Sequence, residues 1–121
     1  MIKGIKIVSV PVTDQQRAVE FYTEKLGFFV ATDQPYNEKQ RWIELRIPGA
    51  DTRLVPFMMD GFEDRVGKFQ NFTFYADNVE KTAQEMMARG VEFVQQPKTE
   101  SWGTSAIFKD SEGNQFVLGS K

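Results

Sequence analysis

The chain has 121 residues, 40% apolar and 26% charged, which is ordinary globular usage and enough length for one domain with a core. Its formal net charge of −2 gives no electrostatic footprint for nucleic acid or for anionic lipid. Cysteine and histidine are both absent, which removes disulfides, thiolate chemistry, the commonest general base and the commonest metal ligand. The first twelve residues hold two lysines and no long apolar run, so they read as neither signal peptide nor membrane span, and a cytoplasmic protein is expected.

Residues 5–12 read as a first strand. A helix is expected over 14–26, opened by a Thr13/Gln16 capping box, with Ala18, Phe21, Tyr22, Lys25 and Leu26 at helical spacing and Gly27 as its stop. Residues 28–32 leave as a strand, and 33–38 form a polar turn region. Residues 40–47 alternate as a half-buried strand should, 48–51 turn the chain, and 53–58 return. Pro56 cannot donate to a ladder, which predicts an edge or a bulge there.

After a link over 59–69 the pattern repeats. A strand over 71–76 leads into a helix over 78–89, capped by Asp77 with Glu80 three residues on. Val79, Ala83, Met86 and Met87 form its apolar face, and Gly90 ends it. Residues 91–95 read as a strand, 96–103 as a loop, 104–108 as a strand, 110–114 as a turn and 115–118 as the last strand. The glycine stops are 90 − 27 = 63 residues apart and the caps 77 − 13 = 64, so the half-chain is duplicated. The expected fold class is α+β: a single domain over 1–121 built from two tandem βαβββ modules, about 1–60 and about 68–121, each a cupped mixed sheet.

The run Val12-x-Asp14-x-x-x-Ala18-x-x-Phe21-Tyr22-x-x-x-Leu26-Gly27-Phe28 resembles the opening signature of the vicinal-oxygen-chelate superfamily. The run Trp102-Gly103-x-x-x-x-Phe108-x-Asp110-x-x-Gly113-Asn114-x-Phe116 is similar to that family's ending, with Ser111 where proline is usual. The superfamily includes glyoxalase I, extradiol dioxygenases and the bleomycin and fosfomycin resistance proteins. In its metal-using members a metal is held by one side chain from each of four strands. The resemblance puts those positions at Ile7, Val55, Asn71 and Val117. Three are hydrocarbons, so no metal and no cofactor are expected, and metal-centred chemistry is disfavoured.

If Asn71 faces the cup, strand parity brings Thr73, Tyr75, Ile7 and Ser9 to the same side and sends Phe72 and Phe74 to the other. Trp102 resembles a pocket-rim aromatic, with packing against the sheet as the alternative. Trp42 and Phe57 read mainly as core, and Met58, Met59, Met86 and Met87 as gap-fillers under helices. Glu44 and Arg46 share a face, either as a cavity ion pair or as an exposed one. No motif places a nucleophile beside a base, so no catalytic residue is assigned.

The expectation is therefore metal-independent binding of a small aromatic or cationic molecule in a cavity lined by Ser9, Asn71, Thr73 and Tyr75, with Trp102 at its mouth. The alternatives are a lyase, isomerase or dioxygenase of the superfamily with displaced ligands, and a structural dimer with a vestigial cavity. Expected partners are a small-molecule ligand and a second copy of the chain, since open sheet edges are usually paired. Neither nucleic acid nor membrane is expected.

Overall fold

The computed structural model describes all 121 residues, Met1–Lys121. The chain divides into two compact units, Met1–Val66 and Gly67–Lys121. The first runs β1 (Ile7–Pro11), α1 (Gln15–Leu26), β2 (Phe29–Pro35), β3 (Arg41–Arg46) and β4 (Arg53–Phe57), then a single 3-10 turn (Glu63–Arg65). The second runs β5 (Phe69–Ala76), α2 (Val79–Ala88), β6 (Phe93–Glu100), β7 (Gly103–Lys109) and β8 (Gln115–Ser120). Each unit holds one four-stranded sheet, ordered β1-β4-β3-β2 and β5-β8-β7-β6. In both, the first and last strands run parallel and every other neighbour is antiparallel. This is the α+β fold of tandem βαβββ modules that the duplicated pattern implies. No helix is long and apolar enough to cross a membrane.

Both helix starts lie one residue later than the capping-box reading. Asp14, not Thr13, caps α1: its carboxylate accepts from the Arg17 amide at 3.0 Å. Asn78, not Asp77, caps α2 and accepts from the Lys81 amide at 3.0 Å. Gln16 turns away from the cap, donating to Glu20 and accepting from Arg41. Gly27 closes α1 at φ +76°, in the left-handed region where a Cβ is disfavoured.

The apolar faces of the helices meet one side of each sheet. Ala18, Val19, Phe21 and Tyr22 are buried with Val10, Ile43, Leu45 and Leu54. In the second unit Val79, Ala83 and Met86 are buried with Ala106, Phe108, Phe116 and Leu118, while Met87 is half-buried. Phe116 is the hub of a ring cluster, with centroids 5.4 Å from Phe72, 5.3 Å from Phe74 and 5.5 Å from Phe108.

Two strands run further than expected. β2 continues through Asp33 and Gln34 to Pro35, and β6 through Pro97 to Glu100. Both are edge strands, where a missing proline donor leaves no ladder bond unmade. Pro56 breaks the expectation the other way, because it lies in β4, an inner strand, and is fully buried. The β3–β4 register covers Leu45↔Leu54 and Arg46↔Arg53 and stops short of it. Two side-chain amides fill the gap beyond. Gln15 donates to the carbonyls of Arg41 (2.8 Å) and Pro56 (3.0 Å) and accepts from the Arg41 amide (3.0 Å). Gln40 donates to the Met58 carbonyl (2.9 Å) and accepts from its amide (3.0 Å).

The Asp110-x-x-Gly113-Asn114 run is a buried hydrogen-bonded knot. Asp110 accepts from the amides of Glu112 and Asn114 and from the Asn114 side chain. Asn114, fully buried, accepts in turn from the Gly67 amide at 2.8 Å and from Gln70 at 3.3 Å. The similarity of this run to the family ending therefore has a structural cause.

Candidate functional site

The helix-free face of the first sheet follows from register. Directly paired residues share a side, so Ile7 and Ser9 on β1 lie with Arg53 and Val55 on β4. Arg46↔Arg53 brings the alternate β3 residues Trp42, Glu44 and Arg46 to that side. Trp42 and Phe57 are half-buried on this face and touch at 5.4 Å between centroids. Tyr36 joins them edge-on to Phe57 at 5.2 Å and is 58% exposed. The result is a wall of three rings open to a visitor, rather than the closed core expected for Trp42 and Phe57.

Beside the wall stands a buried ion pair. Arg53 donates to Glu44 at 2.9 Å, and the Trp42 indole donates to the other carboxylate oxygen at 2.8 Å. Glu44's side chain is 11% exposed and Arg53's 31%. Glu44 thus pairs with Arg53, not with Arg46 as expected. The Trp42 hydrogen bond, followed by the hydrogen bond and charge of Arg53 and the charge of Lys6, holds the Glu44 carboxyl below its ordinary value; burial opposes this and does not win.

A carboxylate whose pKa falls on folding adds stability that is fully present above its unfolded value and is lost as pH falls through the folded value. The stability difference between the native protein and Glu44→Gln should therefore be widest near neutrality. It should shrink as pH drops below the ordinary carboxylate range, as read by denaturant unfolding at several pH values. A difference that stays constant down to pH 3 would contradict this account of Glu44.

The helix-free face of the second sheet carries most of the remaining sequence candidates. Along β5, Asn71, Thr73 and Tyr75 are exposed while Phe72 and Phe74 lie in the ring cluster, as parity predicts. Thr73 pairs with Val117, and Tyr75 with Gly119, which also pairs with Ser105. Tyr75 is 60% exposed, with the Lys121 ammonium 5.3 Å from its ring centroid. Trp102 is not in a long loop. It sits in the tight turn between β6 and β7, 71% exposed, at the end of the sheet where Tyr75 lies. Asn71 is four residues back along β5, about 13 Å from Tyr75 at the rise of a strand. Ser9 belongs to the first unit and is exposed on its helix-free face.

Met58 and Met59 are half-buried beside the 3-10 turn. They border a depression of about 200 Å³ with Pro11, Val12, Phe62 and Val66.

The family's metal does not fit the donor set. Ile7 and Val55 share the helix-free face of the first sheet, and Val117 shares that of the second with Asn71. A hydrocarbon has no lone pair, and one amide oxygen is too few for a divalent ion. Glu44, on the same face as Val55, is already engaged by Trp42 and Arg53. No three His, Cys, Asp or Glu side chains gather in the way that holds a metal.

The wall and the ion pair are what sequence reasoning missed. The signal was present in the 48–51 turn, which sets Arg46 opposite Arg53 and so puts Trp42, Glu44 and Arg53 on one side.

Comparison with known proteins agrees with the architecture. The chain is 41% identical over 121 residues to the uncharacterised protein YetH of Bacillus subtilis, covering 98% of each chain. Among solved structures it resembles TnmS3, an antibiotic binding protein from a Streptomyces species, at 33% identity and a TM-score of 0.86, covering 98% of this chain and 96% of that one. It also resembles a superfamily member from Sphaerobacter thermophilus at 25% identity and a TM-score of 0.89, covering 99% and 98%. A family model matches residues 4–118, and the chain belongs to the Glyoxalase/Bleomycin resistance protein/Dioxygenase superfamily.

Proposed function

We propose that this protein binds a small, partly aromatic molecule without a metal, on the helix-free faces of its sheets. The observation that carries the reading is the Tyr36–Trp42–Phe57 wall, partly open to solvent beside a fixed ion pair. Ring walls of this kind supply large contact area at little loss of side-chain freedom, and a few fixed polar groups orient what binds. Ser9 is proposed as a further contact on the first sheet, and Asn71, Thr73, Tyr75 and Trp102 are proposed as a ligand-contacting surface of the second sheet in its own right. The resemblance to an antibiotic-binding protein supports a small molecule as ligand. The hydrocarbons Ile7, Val55 and Val117 support binding without a metal.

A thermal-shift screen of aromatic small molecules tests this. A ligand present at a hundredfold excess over its Kd stabilises the native state by about 2.7 kcal/mol. Phe57→Ala should abolish most of the shift given by ligands of the first sheet's face, and Tyr75→Ala should weaken the shift given by ligands of the second's. Ligands whose shift survives both substitutions would overturn the reading. Near-unit zinc, nickel, iron or manganese surviving chelation would overturn its metal-free half. We further propose a homodimer: β2 and β6 are open edges and carry exposed Phe29, Val30 and Val94. Sedimentation at tens of micromolar should show twice the 13.9 kDa chain mass, and a monomer alone would refute it.

A further inference from the structure

The helix-free face of the first sheet carries an unusual pairing. Arg46 and Arg53 stand directly opposite one another on β3 and β4. Like charges in that position repel, and sheets normally avoid them. Glu44 answers only one of the two guanidiniums: its Oε1 takes the Arg53 bond at 2.9 Å, and its Oε2 is occupied by the Trp42 indole. Lys6 is close enough to stabilise the Glu44 charge as well. Arg53 and Lys6 act on the one carboxylate and Arg46 stands across from Arg53, so the two strands carry more cations than anions here although the chain as a whole is at −2. Arg46 is exposed, and Arg53, engaged with Glu44 through one nitrogen, is still 31% exposed, so both guanidiniums are within reach of a visitor.

The wall of rings adjoins this charge on the same strands. Trp42 is two residues from Glu44 on β3, and Phe57 is four residues from Arg53 on β4. A planar molecule against Trp42 and Phe57 has its edge directed along strands that end in guanidinium.

We propose that this face selects a planar aromatic ligand bearing an anionic oxygen, a carboxylate or an ionised phenol, with Arg53 as the specificity-determining residue and Glu44 holding it in position. This rests on the reading of the same face as the ligand site, and it excludes the cationic ligand that the sequence alone left open. A guanidinium fork binds two oxygens of one carboxylate in a fixed plane, which a lysine could not do. An anion between Arg46 and Arg53 also relieves their mutual repulsion. A ligand cation would add to it.

Three probes with one ring system separate the outcomes: 2-naphthoate, neutral 2-naphthamide and the 2-naphthylmethylammonium cation, each titrated by calorimetry into the full chain at low salt. Naphthoate should bind about tenfold more tightly than naphthamide, the size of one charge-assisted contact, and the cation most weakly. The preference should shrink as salt rises. Arg53→Gln should reduce the naphthoate-to-naphthamide ratio towards one while leaving naphthamide affinity unchanged. Because Arg53→Gln strips Glu44 of its partner and can unsettle the fold, Arg46→Gln serves as a second variant at an exposed position. It should lower the ratio severalfold without lowering the melting temperature, since it removes one of two repelling charges. Naphthamide or the cation binding as tightly as naphthoate would overturn the anion preference while leaving the face as a ligand site. Binding of none of the three would overturn the site itself, and the preference with it.

Discussion

Replacing Phe116 with alanine should remove about 3 to 5 kcal/mol of stability, the usual range for a large buried aromatic. Phe116 is fully buried on β8, an inner strand, and three rings lie within 5.5 Å of its centroid. Removing it opens a void that Phe72, Phe74 and Phe108 cannot jointly fill, because Phe108 is itself locked against Phe93. Phe74→Ala should cost less, since Phe74 is only half-buried on the edge strand β5. Tyr75→Ala, on the opposite face of β5, should fall below about 1 kcal/mol. Denaturant melts of the three variants check the ranking. A Tyr75→Ala loss equal to that of Phe116→Ala would reverse the faces assigned to the second sheet.

The second large effect belongs to a polar side chain. Asn114→Ala should cost about 3 kcal/mol, although it deletes only an amide. Its oxygen accepts from the Gly67 amide and Gln70, and its nitrogen donates to the buried Asp110 carboxylate. The alanine leaves that carboxylate oxygen facing a void and the Gly67 amide without this acceptor. Buried groups stripped of partners lose their hydration without return. Asp110→Asn in the same background should recover part of the loss, because a buried neutral amide tolerates one donor fewer better than a carboxylate does. If Asn114→Ala proved as mild as a surface substitution, the knot would not hold the turn into β8.

Much of this was legible in the sequence, for reasons that differ from place to place. The duplication showed because helix stops are set by glycine, and Gly27 and Gly90 leave little choice. The cap residues did not show, because Thr13 and Asp14 are both good caps, as are Asp77 and Asn78. Only the backbone decides which one leaves helical geometry. Strand faces followed from parity where one side is buried, as along β5. The ends of β2 and β6 were not legible, because these edge strands are largely exposed and carry little buried pattern to mark where they stop. The family's metal positions came from the resemblance alone, since no spacing of donor side chains marks them in this chain. The ring wall was not, since half-buried aromatics on a strand read as core until the register shows what they face.

The amides of Gln15 and Gln40 make one seam of the first sheet depend on side-chain chemistry, where the corresponding seam of the second sheet does not. A main-chain rung is chemically durable and indifferent to the side chains around it. A rung made by glutamine can hydrolyse to glutamate, which accepts but does not donate. The carbonyls of Arg41, Pro56 and Met58 would then lose their donors at the end of the sheet where Trp42 and Phe57 stand. In the second unit the corresponding seam between β7 and β8 is closed by backbone from Ser105 to Lys109. Loss of either amide would thus be felt at the ring wall before the core beneath the helix registers any change.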